Sequence, residues 1–265
     1  MDDRFDPRKR LDALKRRVRR DEETLADIAE HVEPLADVPG SLERIRRELE
    51  VARTIPSVPL RLRERAVEAS VDHVLGDDHF ADVMVANSKR GCLDAGLRAV
   101  SGPGVVAEFG VFRGTTLTRI ARRFPERTVH GFDSFIGLPE DWAGTDKGAG
   151  AFDIGGEPPD LPVDNVAFHV GFFDATVPPF ADAETGPFAF AHLDADLYSS
   201  TKTVFDHLGH WFVPGTVIVF DEYFGYHGWE LHEHRAFMEF LDSSGHDYEA
   251  IALGHMNLAV QLVDA

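Results

Sequence analysis

The sequence predicts an α/β protein: a parallel sheet covered on both faces by helices, preceded by a helical N-terminal third. Three observations carry this. From Gly104 onward five short, mostly apolar runs (GVVAEFG, RTVHGFD, NVAFHVG, FAFAHLD and TVIVFDE) end in Gly or an acid. Stretches with helical character, TTLTRIARRF, YSSTKTVFDHLGHWF and LHEHRAFMEFLDSS, follow some of them, and apolar runs alternating with helices mark a sheet buried on both faces. Residues 1 to about 100, by contrast, are charged and rich in Leu, Ala, Arg and Glu.

Taken in order, that first region places Leu11, Leu14 and Val18 at helical spacing. Pro34, Pro39, Gly40, Pro56 and Pro59 break it into short pieces. The division expected is a helical region over 1–100, serving as lid and oligomerisation element, and a sheet domain over 101–265. Residues 137–164 (GLPEDWAGTDKGAGAFDIGGEPPDLPVD) fit neither helix nor strand, and loops of this length are usually functional or disordered. The last two runs, YEAIAL and NLAVQLV, are close enough for an antiparallel hairpin at one edge.

Composition sets the class of partner. The first 20 residues hold nine basic and four acidic side chains, a net +5, so residues 21–265 carry −24 against the chain's −19. So acidic a body repels phosphate backbones and excludes nucleic acid as the main partner. With 43% apolar and 10% aromatic residues the chain buries a real core, which excludes global disorder. Cys92 is the sole cysteine, so no internal disulfide and no Cys-based zinc site exists within one chain. The segment MDDRFDPRKRLDALKRRVRR lacks the apolar stretch of a signal peptide, and no apolar run approaches a membrane span. A soluble, cytoplasmic protein without a membrane partner is expected. The +5 segment reads as a solvated helix packing through its Leu and Val positions on a partner subunit.

In an open parallel sheet, ligands bind outside the carboxyl ends of the strands. The first strand end reads Glu108-Phe109-Gly110-Val111-Phe112-Arg113-Gly114-Thr115-Thr116. Its glycines are four apart, unlike GxGxxG, and an acid lies two residues before the first. A carboxylate there opposes pyrophosphate but suits an ammonium or sulfonium group, which favours S-adenosylmethionine over NAD. The second strand ends at Asp133, 25 residues after Glu108, where an acid accepts both ribose hydroxyls of a nucleoside; an N-cap or Asx-turn is the competing account. The third runs into Gly171-Phe172-Phe173-Asp174, an aromatic and an acid suited to an adenine ring, with the phenylalanines equally suited to the core.

The fourth and fifth strand ends supply Asp194 with Asp196, and Asp221 with Glu222. Alternation along a strand gives Asp194 and Asp196 a shared direction. Four carboxylates at adjacent tips repel one another unless a cation or protons intervene, and all-oxygen ligation of Mg²⁺ or another hard divalent ion answers that. Asp196 before YSST is also a helix-cap candidate. His232 and His234, two apart on an expected helix, do not face the same side; with His227 they read as surface or substrate-loop histidines.

Together, VAEFGVFRGTT, HGFDSFIGLPEDW, GFFDATVP, LDADLYSST and PGTVIVFDEY, in this order, resemble the macrocin O-methyltransferase family of class I S-adenosylmethionine-dependent methyltransferases, over roughly residues 85–262. FDSFIGLPE followed by DLYSST is the specific part. The resemblance implies a Rossmann-like sheet of seven strands with a reversed final hairpin, and Mg²⁺-dependent methylation of a sugar hydroxyl on a glycosylated natural product or oligosaccharide. It implies metal ligation by Asp194, Asp221 and Glu222, where better-known members carry aspartate at the last position. It implies cofactor contacts by Glu108, Gly110, Thr115, Asp133 and Ser134, with Phe173 and Asp174 near the adenine. Members commonly form homo-oligomers through N-terminal helices. MVANSKRG (84–91) also looks like the entry segment of catechol-type methyltransferases, with an N-cap at Asn87 or Ser88 as the alternative. The mechanism expected has the metal chelate two hydroxyls and Asp194 take the proton. The rivals are a metal-independent enzyme with His227 or His232 as base, and a non-catalytic cofactor-binding scaffold.

Overall fold

The structure, a computed structural model, describes residues 57–183 and 186–265. The expected N-terminal helix through Leu11, Leu14 and Val18, and the breaks at Pro34, Pro39, Gly40 and Pro56, lie outside these residues.

All five apolar runs are strands: β2 (Val105–Phe109), β3 (Val129–Asp133), β4 (Val166–Val170), β5 (Phe188–Leu193) and β6 (Val217–Phe220). They pair in parallel in the order β6-β5-β2-β3-β4. Beyond β6 lies the hairpin of β7 (His246–Leu253) and β8 (Leu258–Asp264), with β8 antiparallel to both β6 and β7. An eighth strand, β1 (Met84–Val85), pairs in parallel with β7 and takes the outer edge. The sheet is therefore α/β, Rossmann-like and mostly parallel, with eight strands where seven were expected. Two residues of the MVANSKRG segment form the additional strand, too short to carry an alternation or an apolar run.

Helices cover both faces. On one side lie α2 (Lys89–Ala99) and α3 (Thr115–Arg123), and Leu93, Leu97, Leu117 and Ile120 pack there on Val106, Val129, Val217 and Val219. On the other lie α4 (Phe173–Ala181), α5 (Tyr198–Leu208) and α6 (Glu233–Ser244). Here Phe180, Val204, Phe205, Phe237 and Phe240 meet Phe109, Phe132, Phe188 and Phe220. Burying a side chain of that size stabilises by ~1.5–3 kcal/mol, so the two clusters fix the sheet from both sides. Helix α4 has no counterpart in the sequence expectation, because Pro178 and Pro179 lie inside it and each lacks the N–H that a helix interior uses. Buried Val177 and Phe180 hold it nonetheless.

The first described helix, α1 (Val58–Gly76), carries Pro59 in its opening turn. There a proline costs no hydrogen bond, so Pro59 starts a helix where a break was expected. The Oγ of Ser70 on α1 accepts the Gly225 amide at 2.9 Å. Both β1 and α2, although N-terminal to residue 101, are built into the sheet. The Ser88 side chain accepts from Gly91 N at 3.0 Å, so Ser88 caps α2, in agreement with the cap alternative. Residues 134–165 contain no helix or strand and fold back on themselves through Leu138 N to Ala151 O, Gly150 N to Leu138 O and Trp142 N to Lys147 O, each 2.9 Å. Among the described residues no helix is long and apolar enough to cross a membrane.

Candidate active site

A pocket of about 560 Å³ opens at the carboxyl ends of β2, β3, β5 and β6. Its wall includes Gly110, Asp133, Ser134, Trp142, Phe173, Asp174, Asp194, Asp196, Asp221 and Glu222, so eight of the ten residues picked out for cofactor or metal meet in one cavity or at its rim.

The tips of β2 and β5 are pressed together. Gly110 has φ +96°, and a Cβ there would lie 1.7 Å from the Asp194 carbonyl oxygen. The contact is held by Asp194 N donating to Phe109 O at 2.9 Å, while Gly110 N donates to Phe132 O of β3, also at 2.9 Å. Only glycine combines that backbone with that approach.

Asp133 faces the pocket, but its carboxylate is already engaged. Oδ2 accepts Val111 N at 2.8 Å and Phe112 N at 2.7 Å, and Oδ1 accepts Phe135 N at 2.7 Å. The last bond is the Asx-turn named as its competitor; the first two tie the glycine loop to the end of β3. Oδ2 is thereby saturated, whereas Oδ1 keeps one acceptor site. The Ser134 Oγ donates to Gly137 O at 3.0 Å, opening the 134–165 loop.

Two residues depart from the expectation. Glu108 is fully buried, does not line the pocket, and bonds His192 Nδ1 at 2.9 Å from Oε1. The two are register partners on β2 and β5, so parallel pairing sets them side by side within the sheet. Burial, only partly offset by His192, raises the Glu108 carboxyl above its usual range. Thr115 is the first residue of α3 and lines the groove between α2 and α3, outside the pocket. Phe173, for its part, both lines the cavity and contacts Phe109 edge-on at 5.8 Å.

Three of the four acids converge. Asp194, Asp221 and Glu222 each present an oxygen, all within 4.8 Å of one another. Asp196 lines the pocket but stays outside this trio. Strand β5 ends at Leu193, so strand alternation does not govern Asp194 and Asp196. Instead Asp196 sits at φ +60° in a three-residue turn closed by Leu197 N to Ala195 O, a strained form for a non-glycine residue. It does not cap α5, whose N-cap position is Leu197.

Burial, reinforced by neighbouring carboxylates, drives the carboxyls of Asp194 and Glu222 well above their ordinary range and lifts that of Asp196 to about 7. Burial also acts on Asp221, but His192 and Lys89 outweigh it and hold its pKa below the usual value.

Three residues not foreseen complete the arrangement. Lys89 Nζ donates to Asp221 Oδ2 at 2.5 Å and to Glu222 Oε1 at 2.9 Å. Asn257 Nδ2 donates to Asp221 Oδ1 at 2.5 Å and to its carbonyl at 2.9 Å. Glu233 on α6, fully buried, accepts Ala195 N at 3.3 Å and Glu222 N at 3.2 Å, bridging the segments after β5 and β6. These partners lie 36, 38 and 132 positions apart, beyond any local pattern. The motif EYFGYHGWELHEH did contain Glu233, as one acid among exposed-looking polar residues.

The chemistry of the trio fits a hard divalent cation. All donors are carboxylate oxygens; three negative charges meet one ammonium, leaving a formal −2; and Glu222 Oε2 is enclosed with no hydrogen-bond partner. The histidines do not share the pocket. His227 is exposed, His232 Nε2 bonds Ala143 O at 3.0 Å, and His234 Nδ1 bonds the Tyr223 hydroxyl at 2.9 Å.

Comparison with known proteins matches residues 107–223 to the sequence model of a family described as a methyltransferase domain. Comparison with curated proteins returns no match. Among solved structures, the O-methyltransferase NovP is 24% identical, with 67% of this chain and 80% of NovP covered at a TM-score of 0.52. CalS11, a calicheamicin methyltransferase, is 21% identical, with 86% and 94% covered at a TM-score of 0.54. Residues 107–223 are thus similar to a methyltransferase domain, and the chain shares the fold of NovP and CalS11.

Proposed function

We propose that the chain is an S-adenosylmethionine-dependent O-methyltransferase that modifies a sugar hydroxyl, in the manner of the macrocin O-methyltransferase family. The observation that carries this reading is the opening of Gly110, Asp133 and the Asp194–Asp221–Glu222 trio onto one pocket. A transferase acting on a neutral alcohol needs a cofactor wall and an activating acid cluster within bond-forming reach of each other. The names of NovP and CalS11, both methyltransferases, support the same direction.

S-adenosylmethionine supplies an electrophilic methyl group when bound. Mg²⁺ held by Asp194, Asp221 and Glu222 would lower the pKa of a neighbouring hydroxyl. The remaining work belongs to the chain. Gly110 would let the backbone approach the cofactor closely, and Asp133 fixes the 111–112 amides while its Oδ1 would have one acceptor site for a ribose. Phe173 and Asp174, both on the pocket wall, would flank the adenine. Asp194 takes the proton from the acceptor hydroxyl as the oxygen is methylated. Trp142 and Leu138 of the 134–165 loop close the acceptor side against water. A histidine base has no support, since neither His227 nor His232 reaches the pocket wall.

The test is transfer of labelled methyl from S-adenosylmethionine to a panel of saccharides and glycosides, with and without EDTA. Transfer that EDTA abolishes and Mg²⁺ restores is expected. Cofactor binding without transfer to any acceptor would instead identify a scaffold.

A further inference from the structure

Lys89 stands out among the residues around the acid trio. It is the first residue of α2, directly after the Ser88 cap, where the positive end of the helix dipole disfavours a cation. What holds the ammonium there is the pair of carboxylates it bridges, Asp221 Oδ2 and Glu222 Oε1. The other Asp221 oxygen is committed to Asn257, so the ammonium sits on the Asp221 oxygen left to offer. Its side chain is 46% exposed, so the head group has a path off the carboxylates into solvent.

We infer that Lys89 is a resident counter-ion for the acid cluster: it holds the place of the divalent cation in the metal-free chain and is displaced when the cation enters. This rests on the metal reading of Asp194, Asp221 and Glu222 given above. The physical reasoning is short. Without Lys89 the metal-free site carries three crowded carboxylates with no bonded counter-charge, His192 Nε2 lying 3.9 Å from Asp221 Oδ1, and they repel one another across a half-buried pocket. With Lys89, part of that repulsion is cancelled before the ion arrives. Two cations do not share the same carboxylate oxygens at hydrogen-bond and coordination distance without strong repulsion. Loading therefore exchanges one contact for the other, and Lys89 lowers the cation affinity while keeping the empty site folded. It is a positioning residue whose effect is on occupancy, read apart from turnover.

Mn²⁺ serves as the probe, titrated by electron paramagnetic resonance into the metal-stripped full chain, for wild type, Lys89→Met, Lys89→Arg and Asp221→Asn. Lys89→Met should bind Mn²⁺ roughly tenfold more tightly than wild type, and Lys89→Arg, which keeps the charge, should stay near wild type. Metal-free Lys89→Met should also melt lower than wild type, with Mn²⁺ closing the gap. Should Lys89→Met fold poorly, the wild-type chain supplies the second measurement. Acetylation of Lys89 by an N-hydroxysuccinimide ester, followed by peptide mass spectrometry, should speed up severalfold on adding Mn²⁺. Unchanged acetylation, or Mn²⁺ binding by Lys89→Met no tighter than wild type, overturns the counter-ion role even if Asp221→Asn abolishes binding. Mn²⁺ binding that Asp221→Asn leaves intact overturns the metal reading, and this inference with it.

Discussion

Gly110→Ala is the substitution whose outcome the structure fixes most tightly. The new Cβ would fall 1.7 Å from the Asp194 carbonyl oxygen and 2.7 Å from its carbon. Both are main-chain atoms, so no side-chain rotation relieves the clash. Alanine at φ +96° costs ~1–2 kcal/mol for its backbone alone. Parting the β2 and β5 tips to make room stretches the bond Asp194 N to Phe109 O, at ~1 kcal/mol. The sum is ~2–3 kcal/mol, which for a domain of this size lowers Tm by ~4–12 °C. Calorimetry on the metal-stripped chain measures it. Because Asp194 is the residue pushed aside, Mn²⁺ affinity should fall in the same variant. A Tm within ~2 °C of wild type, beyond the spread of ordinary surface changes, would refute the reasoning by showing that the strand tips are not this close.

Three further outcomes follow from the same geometry. Asp194→Ala should abolish methyl transfer while S-adenosylmethionine affinity, read by isothermal titration, changes little; turnover that survives would remove Asp194 from the mechanism. Asp196 keeps a proton in the folded chain up to about pH 7 that the unfolded chain gives up near its ordinary value. Its contribution to stability is therefore whole at acid pH, falls as pH rises and has levelled off above 7. In EDTA the Tm advantage of Asp196→Asn over wild type, asparagine tolerating φ +60°, should widen from pH 4 to 7 and then stay constant, and a constant margin throughout would contradict it. Cys92 is fully buried, its Sγ donates to Ala252 O at 3.3 Å, and burial pushes the thiol up to about 12; Ellman's reagent should leave it untouched in the native chain and titrate it fully in urea.

Much of the sheet was legible in the sequence because buried parallel strands are apolar without interruption, and GVVAEFG or TVIVFDE says so locally. The acids at their ends were legible for the same reason: they are where each apolar run stops. Legibility failed where the signal was short or opposed. Met84–Val85 is two residues long, and α4 contains two prolines whose cost the core repays through Val177 and Phe180. It also failed for roles set across the sheet. Glu108 carries the same acidic label whether it meets a cofactor or His192; only the register of β2 against β5 decides. Lys89, Asn257 and Glu233 reach the site from distant segments, and a single sequence holds no record of that pairing.

The bridge made by Glu233 has a wider consequence. The spacing of the acid tips is set from beneath, by Glu233, Asn257 and His192, groups belonging to α6, the β7–β8 turn and β5. The 134–165 loop lines the pocket opposite, and these three brackets take no part in that wall. Under the proposed function, reactivity and selectivity are therefore built from separable pieces of chain. Such a scaffold is open to retargeting: loop exchange can change which hydroxyl is presented without retuning the groups that activate it.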